Sequence, residues 1–174
     1  MPFRRGDHRS RVPPFVKIEV RLSARAGAAA AEDRDFVKEL GRRSVMSSVG
    51  ALRPATESAA IVAFDRLVDL VDSQSHVTLI AQDRERRVGF LLLLDRLPDE
   101  VTLLDQGFVA YMAVEPSLRG NGVGAALLAA AEEEARKRGL PHVALMVTEE
   151  NEAARVLYER AGYRTERRLL CKPL

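Results

Sequence analysis

Apolar and polar residues alternate from Phe15 to Leu22 in "FVKIEVRL", the two-residue period of a half-buried strand. An alanine-rich stretch follows, and the period then changes. In "EDRDFVKELGRRSVMSS" the residues Phe36, Val37 and Leu40 share one helical face. In "ESAAIVAFDRLVDLVDS" Ile61, Phe64, Leu67, Val68 and Val71 keep a 3.6-residue spacing behind Thr56, a good N-cap residue. "HVTLIAQ", the tetrad "DRER" and "RVGFLLLLD" read as a hairpin, and the unbroken apolar run from Val88 predicts a strand covered on both faces. After "RLPDE", "VTLLDQ" and "GFVAYMAV" predict an extended segment with Gly107 as a possible bulge. A helix from about Gly122 to Arg138 pairs Glu132, Glu133 and Glu134 with Arg136, Lys137 and Arg138 four residues on, and Gly139 stops it. "HVALMV" reads as a strand, "NEAARVLYERAG" as a helix and "YRTERRLLCKP" as a last strand. The predicted order is β-α-α-β-β-β-α-β-α-β. It gives a mixed, mostly antiparallel sheet with helices on both faces, an α/β (α+β) fold.

Composition narrows the function classes. Lys and Arg total 27 against 25 Asp and Glu, a net charge of +2, too little for a sustained nucleic-acid surface. Arg4, Arg5, Arg9 and Arg11 sit among Pro2, Pro13 and Pro14 without apolar period. They predict a flexible basic tail over residues 1–14 ahead of a single domain over 15–174, rather than a nucleic-acid arm. No apolar h-region follows those charges, and the longest apolar run, Val88 to Leu94, is far short of the ~20 residues that cross a bilayer. A cytoplasmic protein without membrane partner is expected. Cys171 is the only cysteine, so no intramolecular disulfide or cysteine-rich zinc site forms, and no metal is expected. Late in the last strand with no base beside it in sequence, Cys171 reads as a small apolar group rather than a nucleophile.

The chemistry concentrates in "VEPSLRGNGVGAALL". Glycines ahead of a helix let backbone N–H groups reach an anion, with the helix dipole behind them, whereas a plain strand-to-helix turn needs only one. A P-loop fails because Gly124 is followed by Ala125 rather than Lys. A dinucleotide fingerprint matches loosely at Gly120, Gly122 and Ala125, with Glu149 after the next strand, but "EPSLR" separates its first glycine from the strand. Val114-x-Pro116 followed by Arg119-x-x-Gly122-x-Gly124 resembles the pyrophosphate loop of the GNAT superfamily of acyl-CoA N-acyltransferases. "NEAARVLYERAGY" resembles the second motif of that family. Together they run from about Phe108 to Tyr163.

The resemblance implies a GNAT-like sheet of six to seven strands and an enzyme, an N-acetyltransferase. It would move an acetyl group from acetyl-CoA, bound as cosubstrate, to a primary amine of a small molecule or peptide by direct attack on the thioester. It implies that Met112, Ala113 and Val114 hydrogen-bond the pantetheine arm, that Arg119, Gly120, Asn121, Gly122, Val123 and Gly124 wrap the pyrophosphate, and that Asn151 touches the cofactor, unless it is only a helix cap. Tyr158 lies seven residues beyond Asn151, nearly two whole turns, so both share one helix face. The family commonly uses this tyrosine as general acid towards the departing thiolate; the alternative is a plain core tyrosine. The family's strand glutamate falls here at Phe108, so the base is open, with Asp105, Glu100, His76 and His142 as weak candidates. Tyr111 either lines the acceptor pocket or packs in the core. One strand after the last helix, where many members have two, suggests a homodimer completing the acceptor wall. The missing strand acid leaves a non-catalytic acyl-CoA-binding or sensing protein as an alternative.

Overall fold

The computed structural model describes residues 17–24 and 26–174. The predicted basic tail, and Phe15 and Val16 of the predicted first strand, lie outside the described residues. Strand β1 (Ile18–Leu22) is followed by helix α1 (Ala28–Ser44), a 3₁₀ turn at Val45–Ser48 and helix α2 (Glu57–Asp72). Strands β2 (His76–Asp83), β3 (Arg86–Pro98) and β4 (Asp105–Val114), helix α3 (Val123–Lys137), strand β5 (Val143–Leu145) and helix α4 (Glu152–Arg160) complete the order. The sheet runs β1-β2-β3-β4-β5, antiparallel except for the parallel β4–β5 pair.

Side-chain alternation divides the core between the two faces of this sheet. Phe90, Leu92 and Leu94 of β3 pack with Val37 and Leu40 of α1 and Phe64, Val68 and Val71 of α2. Val88, Leu91 and Leu93 pack on the opposite face with Val123, Leu127, Leu128 and Ala131 of α3. Both faces of β3 are therefore dry, as its apolar run requires. Thr56 caps α2 by accepting the Ala59 N–H at 3.2 Å. On α3, Arg136 meets Glu132 at 3.2 Å as its spacing predicts, while Lys137 meets Glu134 at 2.9 Å, one position nearer than expected.

Several expectations are corrected. The sheet has five strands among the described residues, not six to seven, because "YRTERRLLCKP" forms none. It alternates, but it carries four cations, and from Arg164 on it lies exposed with no strand beside it. "HVALMV" shrinks to Val143–Leu145, since Met146 turns away with 79% exposure. "VTLLDQ" is strand only from Asp105. Before that, the Asp99 carboxylate accepts N–H bonds from Val101 and Thr102 at 3.2 and 2.8 Å and folds the chain into a loop. Gly107 does face a ladder irregularity, since Leu94 pairs with Phe108 and Leu97 with Gln106 and so Asp95 and Arg96 of β3 stand opposite it; β4 carries a further bulge of its own at Ala110, because Leu92 pairs with Tyr111 and Leu93 with Val109.

A fully buried carboxylate ties the edge of the sheet to α1. Asp33 accepts from Arg21 at 2.7 and 2.8 Å, Arg87 at 2.7 Å, Ser23 at 3.0 Å and the Ala24 N–H at 3.2 Å. Burial alone would raise this carboxyl, but the bonds from Arg21 and Arg87, joined by Ala24 and Ser23, outweigh it and hold it well below the usual carboxylate range.

Candidate functional site

The site forms where β4 and β5 part. Their parallel pairing covers Gly107, Phe108 and Val109 against Val143, Ala144 and Leu145 and then stops, while β4 runs on to Val114. Glu115 donates its N–H to Val88 of β3 at 2.9 Å. Backbone alternation therefore turns Ala113 and Tyr111 towards β3 and points the N–H and C=O groups of Met112 and Val114 into the gap. The bulge at Ala110 is what sets this phase, because Gly107, on the near side of it, also faces β5, donating to His142 O at 2.9 Å. Without the extra residue, Met112 and Val114 would face β3.

The glycine loop continues directly from that open edge. Pro116–Leu118 form one 3₁₀ turn, and Gly120 and Gly122 have φ of 79° and 83°, the left-handed region that side chains resist. Gly122 caps α3, and the N–H groups of Val123, Gly124 and Ala125 have no partner among the described residues. The first turn of α3 holds no acid to compete for them. Arg119 lies exposed beside this turn, its Nε donating to Val114 O at 3.4 Å, and Asn121 is exposed with it. Gly124 serves a different purpose from its neighbours. A Cβ there would meet Leu157 Cδ2 at 2.8 Å, so its missing side chain seats α4 against α3. Gly89 was not singled out in the sequence and works similarly: a Cβ there would lie 3.0 Å from Ala113 O and 3.2 Å from Val123 and Leu127 side chains, so it lets the start of α3 sit close against the sheet. Its only trace in the sequence is a glycine inside an otherwise apolar strand.

Helix α4 forms the far wall. Asn151 caps it, Oδ1 accepting the Ala154 N–H at 3.2 Å, while Nδ2 donates to Ser47 O at 3.2 Å. Next to it Glu150 Oε1 accepts the Ala51 N–H at 3.2 Å. The loop after α1 is thus fastened to the start of α4, a link between segments a hundred residues apart. Leu157 and Tyr158 pack in the same cluster as Met112, Val114 and Leu145, and the Tyr158 ring stands edge-on to Tyr163 with centroids 6.0 Å apart. Burial, and second the nearby Tyr111 phenol, push the Tyr158 hydroxyl above its ordinary value. Tyr111 packs on the opposite sheet face, stacked on Phe90 at 6.0 Å and edge-on to Phe64 at 4.9 Å, and burial raises its phenol too.

None of the weak base candidates adjoins the gap. Asp105 and Glu100 lie at the other end of β4, beside Arg96 at 3.6 Å and Arg167 at 3.5 Å. His76 begins β2, its Nδ1 at 3.0 Å from Gln74 O, and His142 precedes β5 at the paired end. Phe108 packs in the α1–α2 core. Cys171 is exposed rather than a buried apolar group. Among the described residues no group of three or more His, Cys, Asp or Glu could hold a metal, and no helix is long and apolar enough to cross a membrane.

A family model described as "Acetyltransferase (GNAT) family" matches residues 50–163, well over half of the chain. N-alpha-acetyltransferase 30 of Schizosaccharomyces pombe is 29% identical over 92 residues, 53% of this chain and 60% of that protein. The chain spans less than two thirds of the curated relatives it matches. A solved structure, a putative acetyl transferase from Pyrococcus furiosus, superposes with a TM-score of 0.74 at 25% identity, covering 91% of this chain and 100% of that one. An aminoglycoside N-acetyltransferase solved in complex with CoA shares the fold at 17% identity, with a TM-score of 0.63 over 94% of this chain and 98% of its own.

Proposed function

Because the chain belongs to the GNAT acetyltransferase family, we propose that it moves an acetyl group from acetyl-CoA to a primary amine of a small molecule or peptide. The observation that carries the reading is a set of backbone groups left without backbone partners along one side of the site, from Met112 and Val114 at the open edge of β4, where the Val114 C=O meets only Arg119 Nε, to the N–H groups of Val123, Gly124 and Ala125. Pantetheine carries amides that pair with a strand edge, and pyrophosphate carries oxygens that a glycine-rich helix start receives. Arg119, Gly120, Asn121 and Gly122 supply the rest of that cradle, Ala113 backs it from the sheet, and Asn151 closes its far end. The CoA-bound relative of the same fold supports this choice of cosubstrate.

The amine attacks the thioester carbonyl directly, with no covalent enzyme intermediate. The carbonyl oxygen gains charge, which an N–H facing the gap stabilises, and the C–S bond then breaks to release the CoA thiolate. Tyr158 is the group proposed to meet that sulfur. A phenol of pKa about 10 gives its proton to a thiol of about 8.5 uphill by roughly 2 kcal/mol. With the phenol raised further, Tyr158 acts mainly by hydrogen-bonding the developing thiolate, and stays protonated throughout the neutral range. Deprotonation of the amine falls to water, since no acid or histidine among the weak candidates adjoins the gap.

Release of CoA thiol, measured against polyamines, amino acids, aminoglycosides and peptides, tests the reading. Thiol release with at least one amine, reduced in Tyr158→Phe, is the expected result. The missing base favours a second reading, a non-catalytic acyl-CoA sensor. It takes over if acetyl-CoA binds tightly in calorimetry while no amine is acetylated and Tyr158→Phe changes nothing.

A further inference from the structure

The segment at the end of α1 spans the gap and is tied down on both of its banks. On the β4 side Arg43 donates to both carboxylate oxygens of Glu115, at 2.9 and 3.4 Å, and the Glu115 side chain is largely buried. On the α4 side Ser47 O accepts from Asn151 Nδ2, and the Ala51 N–H donates to Glu150 Oε1, each at 3.2 Å. Among the described residues these two hydrogen bonds alone join the segment to the start of α4. A Cβ on Gly50 would stand 3.7 Å from Thr148 Cγ2 and 3.8 Å from Glu150 Oε2, so the backbone here lies against the stretch that leads into α4. Between the ties, Val49 packs with Phe108 and Tyr111 on the α1–α2 face of the sheet. Residues 43–51 are therefore a bridge over that side of the gap. Beyond it, residues 51–56 are exposed and belong to no helix or strand, so nothing on the α2 side stiffens its far end.

We propose that Glu150 is a positioning residue for the acceptor: by holding the Ala51 N–H, its carboxylate fixes the bridge past which the amine reaches the thioester. The role rests on the acyl-transfer reading. In that reading the cofactor fills the gap from the glycine loop and the α3 face of the sheet, where Met112, Val114, Leu157 and Tyr158 share one cluster. The amine then approaches the thioester carbonyl from the face that the cofactor leaves free, and that face is the bridged one. The role asks nothing of the charge on Glu150. A backbone N–H needs an acceptor oxygen, so glutamine in its place keeps the bond and alanine loses it. Asn151 supports the same bridge through Nδ2 while its Oδ1 caps α4. Aspartate caps a helix as well as asparagine does but has no N–H to offer Ser47 O, so it separates the two duties.

Steady-state kinetics with an amine that the enzyme accepts, together with hydrogen exchange of the Ala51 amide followed by NMR, test the assignment. Glu150→Ala should raise the KM for the amine about fivefold, the size of one lost hydrogen bond, and leave the KM for acetyl-CoA unchanged. It should also speed exchange at Ala51 by about tenfold, since that amide loses its partner. Glu150→Gln should match the wild-type chain in all three measurements. Asn151→Asp should speed exchange at Ala51 while keeping the urea midpoint that Asn151→Ala lowers. If glutamine harms the amine KM as much as alanine does, Glu150 acts through its charge and the proposal is overturned. An equal loss towards acetyl-CoA overturns it as well, by assigning the bond to the cofactor. So does a Glu150→Ala enzyme with wild-type kinetics, and in that case acyl transfer itself still stands. A chain that acetylates no amine instead overturns the acyl-transfer reading, and the acceptor role of Glu150 falls with it.

Discussion

Three glycines that look alike in the sequence do different things. Gly120 and Gly122 hold left-handed backbone, where any side chain costs roughly 1 kcal/mol or more, whereas Gly124 makes room for Leu157. Gly122→Ala should therefore raise the KM for acetyl-CoA several-fold with little change in kcat. Gly124→Ala should lower the melting temperature by displacing α4; steady-state kinetics and thermal melts separate the two. Tyr158→Phe should lower kcat by about 10²-fold with KM nearly unchanged, the size expected when a hydrogen bond to charge developing in the transition state is lost. Asp33 carries no chemistry, yet it is the most heavily bonded side chain in the fold. Asp33→Asn leaves Arg21 without its charge partner and Arg87 with Glu32 alone, at 2.8 Å, so we expect a loss of about 1–3 kcal/mol in denaturant unfolding. The sign of its pH dependence follows from its depressed folded value. The stabilisation is fully present above the unfolded pKa of about 3.9 and is lost as pH falls through the folded one. Acid unfolding should therefore steepen below pH 4 in the wild-type chain and be blunted in Asp33→Asn.

Among the elements, β4 and α4 set the geometry of the gap. The Ala110 bulge rotates the second half of β4 by one phase, and only then do Met112 and Val114 present backbone groups to the gap. Asn151 ends up doing structural work with both arms of its amide, as cap to Ala154 and as link to Ser47. Asn151→Ala should lower stability by about 1 kcal/mol from the cap alone, measured by urea unfolding. With Asp105, Glu100, His76 and His142 all away from the gap, the proposed mechanism leaves the free fraction of the amine to control the reaction. For an amine of pKa near 10, kcat/KM should rise about tenfold per pH unit up to that value. A plateau near pH 7 would instead reveal an enzyme base, with Glu115 after β4 and Glu149 and Glu150 before α4 as the acids to test first.

At the scale of the whole molecule, α1 and α2 on one face and α3 and α4 on the other hold the sheet while β4 and β5 diverge between them. A ligand filling that gap touches both halves of the core. At a hundred times its Kd, acetyl-CoA or CoA should stabilise the fold by about 2.7 kcal/mol, a melting shift of roughly 5–10 °C for a chain of this size. NAD at the same concentration should produce none. Much of this was legible beforehand. The periods of α2, β3 and α3 located those elements because each buries a whole face, and the glycine spacing with "NEAARVLYERAGY" located the loop and its far wall. The last strand was not legible: alternation in "YRTERRLLCKP" shows that the segment is able to form a strand, but a strand exists only where another strand's edge meets it.

The sequence by itself therefore determined the helices, the central strands, the family and the residue types around the glycine loop, since periodicity, capping and left-handed glycines are local properties of the chain. Tertiary structure alone decided which backbone groups of β4 face the gap, that Gly124 serves packing, that Asn151 reaches Ser47 and that Asp33 gathers two arginines. Each of these depends on segments distant in sequence meeting at distances of a few ångströms. Local pattern holds no record of such meetings.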